Sequence, residues 1–364
     1  MVSRKRDRSW RAALLVGVLA VDGASAQETK RSGRFVEINP EVRYSVSRAL
    51  NYLVRHQNRS DSFRLDRFPV AENALAGLAF LAGGFTETGG DKKFSDGIRK
   101  CTTTLLSLQN PMGYFYDKHS RMYGHGFATL FLAELYGMCG DRDAKIREAL
   151  KRAIRVIEKS QIAEGGWDYD PAARFGGKQK NFVISDTSIT VCQTMALRAA
   201  RNLGVRVDPL VISRARRYIA RAQNPDGGFS YRTSGRYGHG ESAFPRSAAG
   251  VCILYSLGDY SSNAMKNGIR YLEKNYTELS NPFAYYAQYY CSQAMFQVGG
   301  RRWREYYPWI RGVLAKEQED DGSWKSGALA GFGLVSMEPS KVQTTSMALI
   351  VLQLPYRYLP IHER

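Results

Sequence analysis

The sequence predicts an all-α fold in which six helix pairs close into an α/α toroid, an α6/α6 barrel. Three observations carry this: a glutamine–turn–aromatic segment recurs, charged helices alternate with apolar ones, and the apolar helices stop at glycine. The recurring segments span 57–63, 109–115, 161–167, 223–229 and 318–324, from Gln57, Gln109, Gln161, Gln223 and Gln318 to Phe63, Phe115, Trp167, Phe229 and Trp324. A degenerate sixth copy ends a helix near Tyr276, and the starts lie 52, 52, 62, about 53 and about 42 residues apart. A period of this size marks a chain built by stacking one supersecondary unit.

Residues 1–26 stand apart from the repeats. Arg4, Lys5, Arg6, Arg8 and Arg11 make a basic start, residues 12–21 an apolar core, and Ala24-Ser25-Ala26 a small-residue cleavage site. These are the three regions of a secretory signal peptide. The apolar run falls short of the roughly 20 residues a spanning helix needs. The expectation is a single mature domain over 27–364, secreted or periplasmic, with no membrane-spanning segment.

Within each repeat the glutamine closes an amphipathic helix, as in 214–222, where apolar residues fall three to four apart. Glycine-rich turns then stop it, because glycine accepts the left-handed conformation of a helix C-terminus. A second, more apolar helix follows, predicted over 70–81, 126–138, 187–203, 243–257, 285–298 and 342–354. Five of the six end at Gly83, Gly140, Gly204, Gly258 and Gly299. Helices that are apolar nearly all round are covered by neighbours, while the charged ones keep a face in water. Six pairs can therefore close with the apolar helices inside.

The chain carries a formal charge of +18, of which +15 remains after residue 26. Lys and Arg are spread along helices such as 146–159 and 212–221, the pattern of a solvated outer face. Such a field attracts an anionic partner, for example an acidic polysaccharide or lipid headgroups, and export argues against nucleic acid. The five cysteines, Cys101, Cys139, Cys192, Cys252 and Cys291, are widely spaced in apolar stretches without a CxxC pair. They read as small buried hydrophobes.

The glutamine segments resemble the QW motif of the triterpene cyclases. Arg214-Ala215, Tyr218-Ile219, Gln223, Gly227 and Phe229 follow it throughout, with Phe for Trp. Arg152-Ala153, Ile157, Gln161, Gly165 and Trp167 follow it with Val156 at the aromatic position, and Arg48-Ala49, Tyr52-Leu53, Gln57 and Phe63 with Asp61 in place of glycine. The resemblance spans the mature chain and implies the toroid of the squalene-cyclase and protein-prenyltransferase families, in which the motif ties repeats together. It also implies signatures to look for. Squalene–hopene-type cyclases carry Asp-x-Asp-Asp on an inner helix, and the nearest string here, Asp168-Tyr169-Asp170, follows a turn. The Asp-x-Cys of prenyltransferases and the Gly-Cys-Gly-Glu-Gln of thioester toroids do not occur.

Two sets of candidate residues follow. Eleven residues before each terminal glycine stand Glu72, Thr129, Gln193, Ser247 and Gln288, and eleven before Pro355 stands Thr344. All are polar in apolar helices. Buried polar groups need partners, so they either share a level facing a wet cavity or bond neighbouring backbone. Tyr285 and Tyr289 belong to the one inner helix rich in aromatics, and join this ligand-binding set. The second set stands where inner helices begin. Tyr123-Gly124-His125-Gly126 and Tyr237-Gly238-His239-Gly240 are the same tetrapeptide, near Asp186 and Glu241. Histidine beside a carboxylate suits acid–base work, so His125, His239, Asp186 and Glu241 are the catalytic candidates. No metal or cofactor is expected. Three functions remain open: a toroid that binds a ligand or partner in its cavity or rim, a terpenoid cyclase or prenyltransferase type of enzyme, and a polysaccharide lyase or hydrolase. The first requires no missing motif, with a glycan or an isoprenoid as the ligand.

Overall fold

A computed structural model describes residues 38–139, 144–175, 184–233, 240–326 and 339–362. Among them run twelve α-helices: α1 (Pro40–Arg59), α2 (Pro69–Ala82), α3 (Lys92–Leu108), α4 (Arg121–Cys139), α5 (Ala144–Ser160), α6 (Thr187–Asn202), α7 (Pro209–Ala222), α8 (Phe244–Ser256), α9 (Asn263–Asn275), α10 (Ala284–Val298), α11 (Gly300–Glu317) and α12 (Lys341–Gln353). Several starts are written locally. Asn39, Asp91, Asp186, Asp208, Ser262 and Ser340 each cap a helix through their side chains, satisfying amide groups that a first turn leaves open.

Even-numbered helices form the inner ring and odd-numbered ones the outer. Each inner helix packs on the next, and α12 returns to α2, so the ring is closed. The inner helices are buried almost throughout, for example every residue of α2 from Val70 to Ala82. No helix among the described residues is long and apolar enough to cross a bilayer. Cys101, Cys192, Cys252 and Cys291 are buried, and all five cysteines are free.

The glutamine turns are the joints between repeats. Gln109 Nε2 donates to Gly113 O at 3.0 Å and to Ala149 O of the next outer helix at 2.8 Å. Gln161 does the same to Gly165 O and Val211 O, both at 2.8 Å, and Gln223 to Gly227 O at 3.0 Å and Ala264 O at 2.8 Å. Gln318 closes the ring by donating to Gly322 O and, across the chain ends, to Ser45 O, both at 2.9 Å. The turn glycine is required twice over. Gly113, Gly165, Gly227 and Gly322 have φ of +100, +101, +90 and +90°, and a Cβ on each would strike the backbone of Arg152, Arg214, Asn267 or Arg48. The first copy departs from this: Asp61, Ser62 and Phe63 all take positive φ without glycine, and Gln57 Nε2 donates to Gly97 O and Cys101 Sγ.

The motif aromatics reach inward. Phe63, Phe115, Trp167, Phe229 and Trp324 are all fully buried, and the two indole N–H groups donate to Ile157 O and Leu314 O. Their size fills the space between layers and their polar edges find backbone partners.

Candidate functional site

The polar residues of the inner helices sort by the direction in which they bond. The backbone N–H groups of Phe115, Trp167, Phe229 and Trp324 donate to His125 Nδ1, Thr190 Oγ1, Ser247 Oγ and Thr345 Oγ1 at 3.2, 3.2, 2.9 and 3.1 Å. In the first repeat Asn73 Nδ2 donates to Ser62 O. A shared polar level therefore exists, but it runs through Asn73, His125, Thr190, Ser247 and Thr345 and faces outward to the turns. Counting back from terminal glycines finds only Ser247 of these. The inner helices have 14, 19, 16, 13, 15 and 13 residues, so their ends are not level.

The other counted residues bond within the protein wall. Thr129 donates to His125 O, Thr344 to Trp324 O and Gln193 to Met122 O. Gln288 donates to Tyr276 O and accepts from the Tyr306 hydroxyl. Glu72 is the exception. It is fully buried with neither carboxylate oxygen hydrogen-bonded, and burial pushes its carboxyl up to about 8 against the pull of the nearby Ser340 side chain. Tyr285 and Tyr289 are buried as well.

Below the mouth, side chains of facing inner helices meet. Tyr286 meets Tyr123 edge-on at 6.5 Å, Tyr289 meets Phe127 at 6.3 Å, and the Tyr290 hydroxyl lies 3.4 Å from Cys192 Sγ. These contacts join α10 to α4 and α6 across the ring, where one of the two sequence readings puts a wet cavity. Near the base, a cavity bounded by Met195, Cys252, Gln293 and His362 has about 20 Å³ of room, enough for about one water molecule.

The paired tetrapeptide also takes a different role. Residues 123–126 lie inside α4, which begins at Arg121, five residues earlier than expected. Gly124 and Gly126 are packing residues: a Cβ on Gly124 would lie 2.9 Å from Val70 Cγ1, and one on Gly126 2.7 Å from Cys192 Cβ. They let α4 approach α2 on one side and α6 on the other. His125 is fully buried, accepts from Phe115 N–H and donates from Nε2 to Ala153 O at 3.1 Å. Desolvation lowers its pKa to about 4, so the ring is neutral. His239 lies outside the described residues, and Glu241 is exposed with its carbonyl bonded to Arg246. His125 and Asp186 share no hydrogen-bond partner.

Asp186 stands instead in a cluster of tyrosines. Its Oδ1 accepts from Ser188 N–H at 2.7 Å, from Ile189 N–H at 3.3 Å and from the Ser188 hydroxyl. Its Oδ2 has no hydrogen-bond partner although the residue is wholly buried. Burial raises its pKa, opposed by the Ser188 and Tyr231 hydroxyls and by backbone N–H groups. The strands of chain after the third and fourth turns lie over the inner-helix starts: Tyr169 O accepts from Met122 N–H, and Tyr231 O from Thr187 N–H. This brings the Tyr169 and Tyr231 hydroxyls to 2.6 Å and sets Tyr169 edge-on to Tyr123 at 6.0 Å.

Tyr123, Tyr169, Tyr231 and Tyr286 are all partly exposed and gather into one aromatic cluster, the bowl, with Asp186 at its side. Sequence reading finds Asp186 and overlooks this bowl, because Tyr169 and Tyr231 sit just after turns in positions that look like connections. Arg121, salt-bridged to Asp170 at 3.2 Å, lies over the Tyr169 ring, and Arg232 over the Tyr231 ring. Among the described residues no three His, Cys, Asp or Glu side chains gather as a metal ion would need.

Residues 131–310 match the family described as the squalene-hopene cyclase C-terminal domain. The fold is similar to the type II terpene cyclase MstE of Scytonema bound to geranylgeranyl dihydroxybenzoate, at 12% identity and a TM-score of 0.60 over 88% of this chain and 98% of that one. It is also similar to a GH76 α-mannanase of Bacteroides thetaiotaomicron, at 9% identity and a TM-score of 0.62 over 87% and 96% of the two chains. An unsaturated glucuronyl hydrolase specific for heparin matches at 10% identity and a TM-score of 0.58 over 87% and 97%. No curated protein matches the chain. The chain thus has the squalene-cyclase-like α/α toroid that its turns predict.

Proposed function

We propose that this squalene-cyclase-like toroid is an exported binding protein whose ligand, a glycan, sits in the tyrosine bowl where the inner helices begin. The observation that carries the reading is the convergence of Tyr123, Tyr169, Tyr231 and Tyr286 beside a buried Asp186 oxygen with no hydrogen-bond partner. Gathered aromatic rings with a few placed polar groups are a common part of small-ligand sites. A pyranose offers both halves of the match, a C–H face for the rings and hydroxyls for Asp186 and the phenols. The fold supports glycans elsewhere, as the names of the α-mannanase and the glucuronyl hydrolase state. Export rests on the basic, apolar and small-residue regions of residues 1–26.

A second reading makes the bowl an active site in which the Asp186 carboxyl gives a proton to a bound alkene or glycosidic oxygen. The raised pKa of that carboxyl favours it, since a buried acid retains its proton nearer neutrality. One set of measurements separates the two. Oligosaccharides and polyprenyl compounds are titrated against wild type, Tyr169→Ala and Tyr231→Ala, with products analysed in parallel. Binding at least about tenfold weaker in both variants, a change of about 1.4 kcal/mol, with ligand recovered unchanged, supports the binding reading. Equal affinity in all three proteins places the ligand elsewhere, and turnover abolished by Asp186→Asn gives the second reading.

A further inference from the structure

We infer that the ligand of the bowl is an acidic glycan, with the carboxylate of a uronic-acid ring held by Arg232 while the ring rests on Tyr231. This rests on the binding reading above and adds the charge of the ligand to it.

Three arginines surround the aromatic floor, and they are not in the same state. Arg246 is half-buried and committed: its Nε donates to Phe229 O at 3.2 Å and to Glu241 O at 3.1 Å, and its Nη2 to Glu241 O at 2.5 Å. Arg121 is committed to Asp170 at 3.2 Å. Arg232 differs. Its guanidinium carbon lies 5.1 Å from the Tyr231 ring centroid, and its Nε is buried without a hydrogen-bond partner. A buried donor left unmet is costly, more so when it is charged. An anion that accepts from it removes that cost.

The chemistry of the anion follows from the surroundings. A guanidinium edge presents two parallel N–H groups, the geometry of a carboxylate. In a uronic acid the carboxylate is attached directly to the pyranose ring, so a ring lying on Tyr231 carries its charge to the neighbouring Arg232. A prenyl diphosphate is also anionic, but its hydrocarbon tail calls for an apolar tunnel, and beneath the bowl the rings of Tyr286, Tyr289, Tyr290 and Phe127 meet across the ring of helices. Burial raises the pKa of the Asp186 carboxyl, which weakens its opposition to an acidic ligand relative to an exposed carboxylate.

The test compares three probes on the full mature chain: an oligogalacturonate, a neutral galactose oligomer of equal length, and geranylgeranyl diphosphate. Affinities are measured for wild type, Arg232→Gln and Arg232→Lys, with circular dichroism to establish folding. The expected result is oligogalacturonate binding at least ~10-fold tighter than the neutral oligomer, as one charge-assisted contact allows. That preference disappears in Arg232→Gln and is partly kept in Arg232→Lys. Equal affinity for the two oligomers, or an unchanged preference in Arg232→Gln, overturns the inference and leaves glycan binding standing. Tighter binding of the diphosphate than of either oligomer overturns the sugar assignment. If no oligomer binds and the diphosphate does not either, the binding reading falls with it.

Discussion

The joints between repeats and the bowl at the mouth draw on the same residue types, yet they differ in recurrence. A glutamine donating to its own turn and to the next outer helix appears four times, at Gln109, Gln161, Gln223 and Gln318. So does the aromatic N–H bound by an inner-helix side chain, at His125, Thr190, Ser247 and Thr345. Among the described residues the bowl occurs once, where the third and fourth repeats send Tyr169 and Tyr231 over the inner-helix starts. In a repeat protein, what every unit does is architecture, and stability is roughly the sum of units and their interfaces. What one place does alone is where a function is to be sought. The joints should therefore answer mutation with stability, and the bowl with binding.

The largest effect belongs to a joint glycine. Gly165 has φ of +101° and a Cβ there would lie 2.2 Å from Arg214 O, a backbone atom that cannot swing aside. Gly165→Ala combines a left-handed penalty with overpacking and should cost about 3 kcal/mol or more. Gly204 is the control, with φ of +75° and nothing within 4 Å of a built Cβ; Gly204→Ala should cost only ~1–2 kcal/mol. Denaturant melts of both variants check the comparison. Equal losses would mean that the joints do not tie the repeats.

His125 tests the joint through pH. Its folded-state pKa of about 4 lies below the unfolded value of about 6.5, so the native protein holds a neutral ring that the unfolded chain would protonate. The stability from this residue is full above pH ~6.5, declines as pH falls toward ~4, and is level below that, a loss of roughly 3 kcal/mol across the window. His125→Gln removes this slope at the cost of the Phe115 and Ala153 bonds, about 1–2 kcal/mol at neutral pH. Melts at pH 7, 5.5 and 4.5 for both proteins read it. A slope that survives in the variant assigns the titration to another group.

This contrast also explains what was legible beforehand. Gln223, Gly227 and Phe229 are visible in the sequence because the repeat displays them several times, and the helix pairs follow from alternation of charge. Boundaries fall within a residue or two for α2, α6, α8, α10 and α12, while α4 starts early because Gly124 and Gly126 look like a turn and are packing contacts. Whether a polar inner residue faces in or out depends on absolute register, which helices of unequal length do not reveal. Ser247 and Thr344 look alike in sequence; one receives the Phe229 N–H and the other donates to Trp324 O. The bowl is hidden for a different reason. It depends on where two connections cross neighbouring helix starts, a property of the closed ring and of no single repeat.

The smallest stability effect is expected at Asp186, which belongs to both regions at once. Its Oδ1 caps α6 through Ser188 and Ile189, and asparagine caps about as well as aspartate. Asp186→Asn therefore preserves the helix start. It also removes a carboxyl whose pKa burial has raised. For such a group, stability is full below the unfolded pKa and declines as pH rises through the folded one, because the charged form must be buried. The variant should thus match wild type to within about 1 kcal/mol at pH 7, with a flatter profile at higher pH than the ordinary carboxylate range. Binding should behave in the opposite way, because the Oδ2 oxygen without a hydrogen-bond partner is the acceptor offered to a ligand hydroxyl. A fold unchanged with ligand affinity lost places Asp186 in the bowl. A loss of several kcal/mol with affinity retained places it among the joints, and the division drawn between the two regions fails at the residue where they touch.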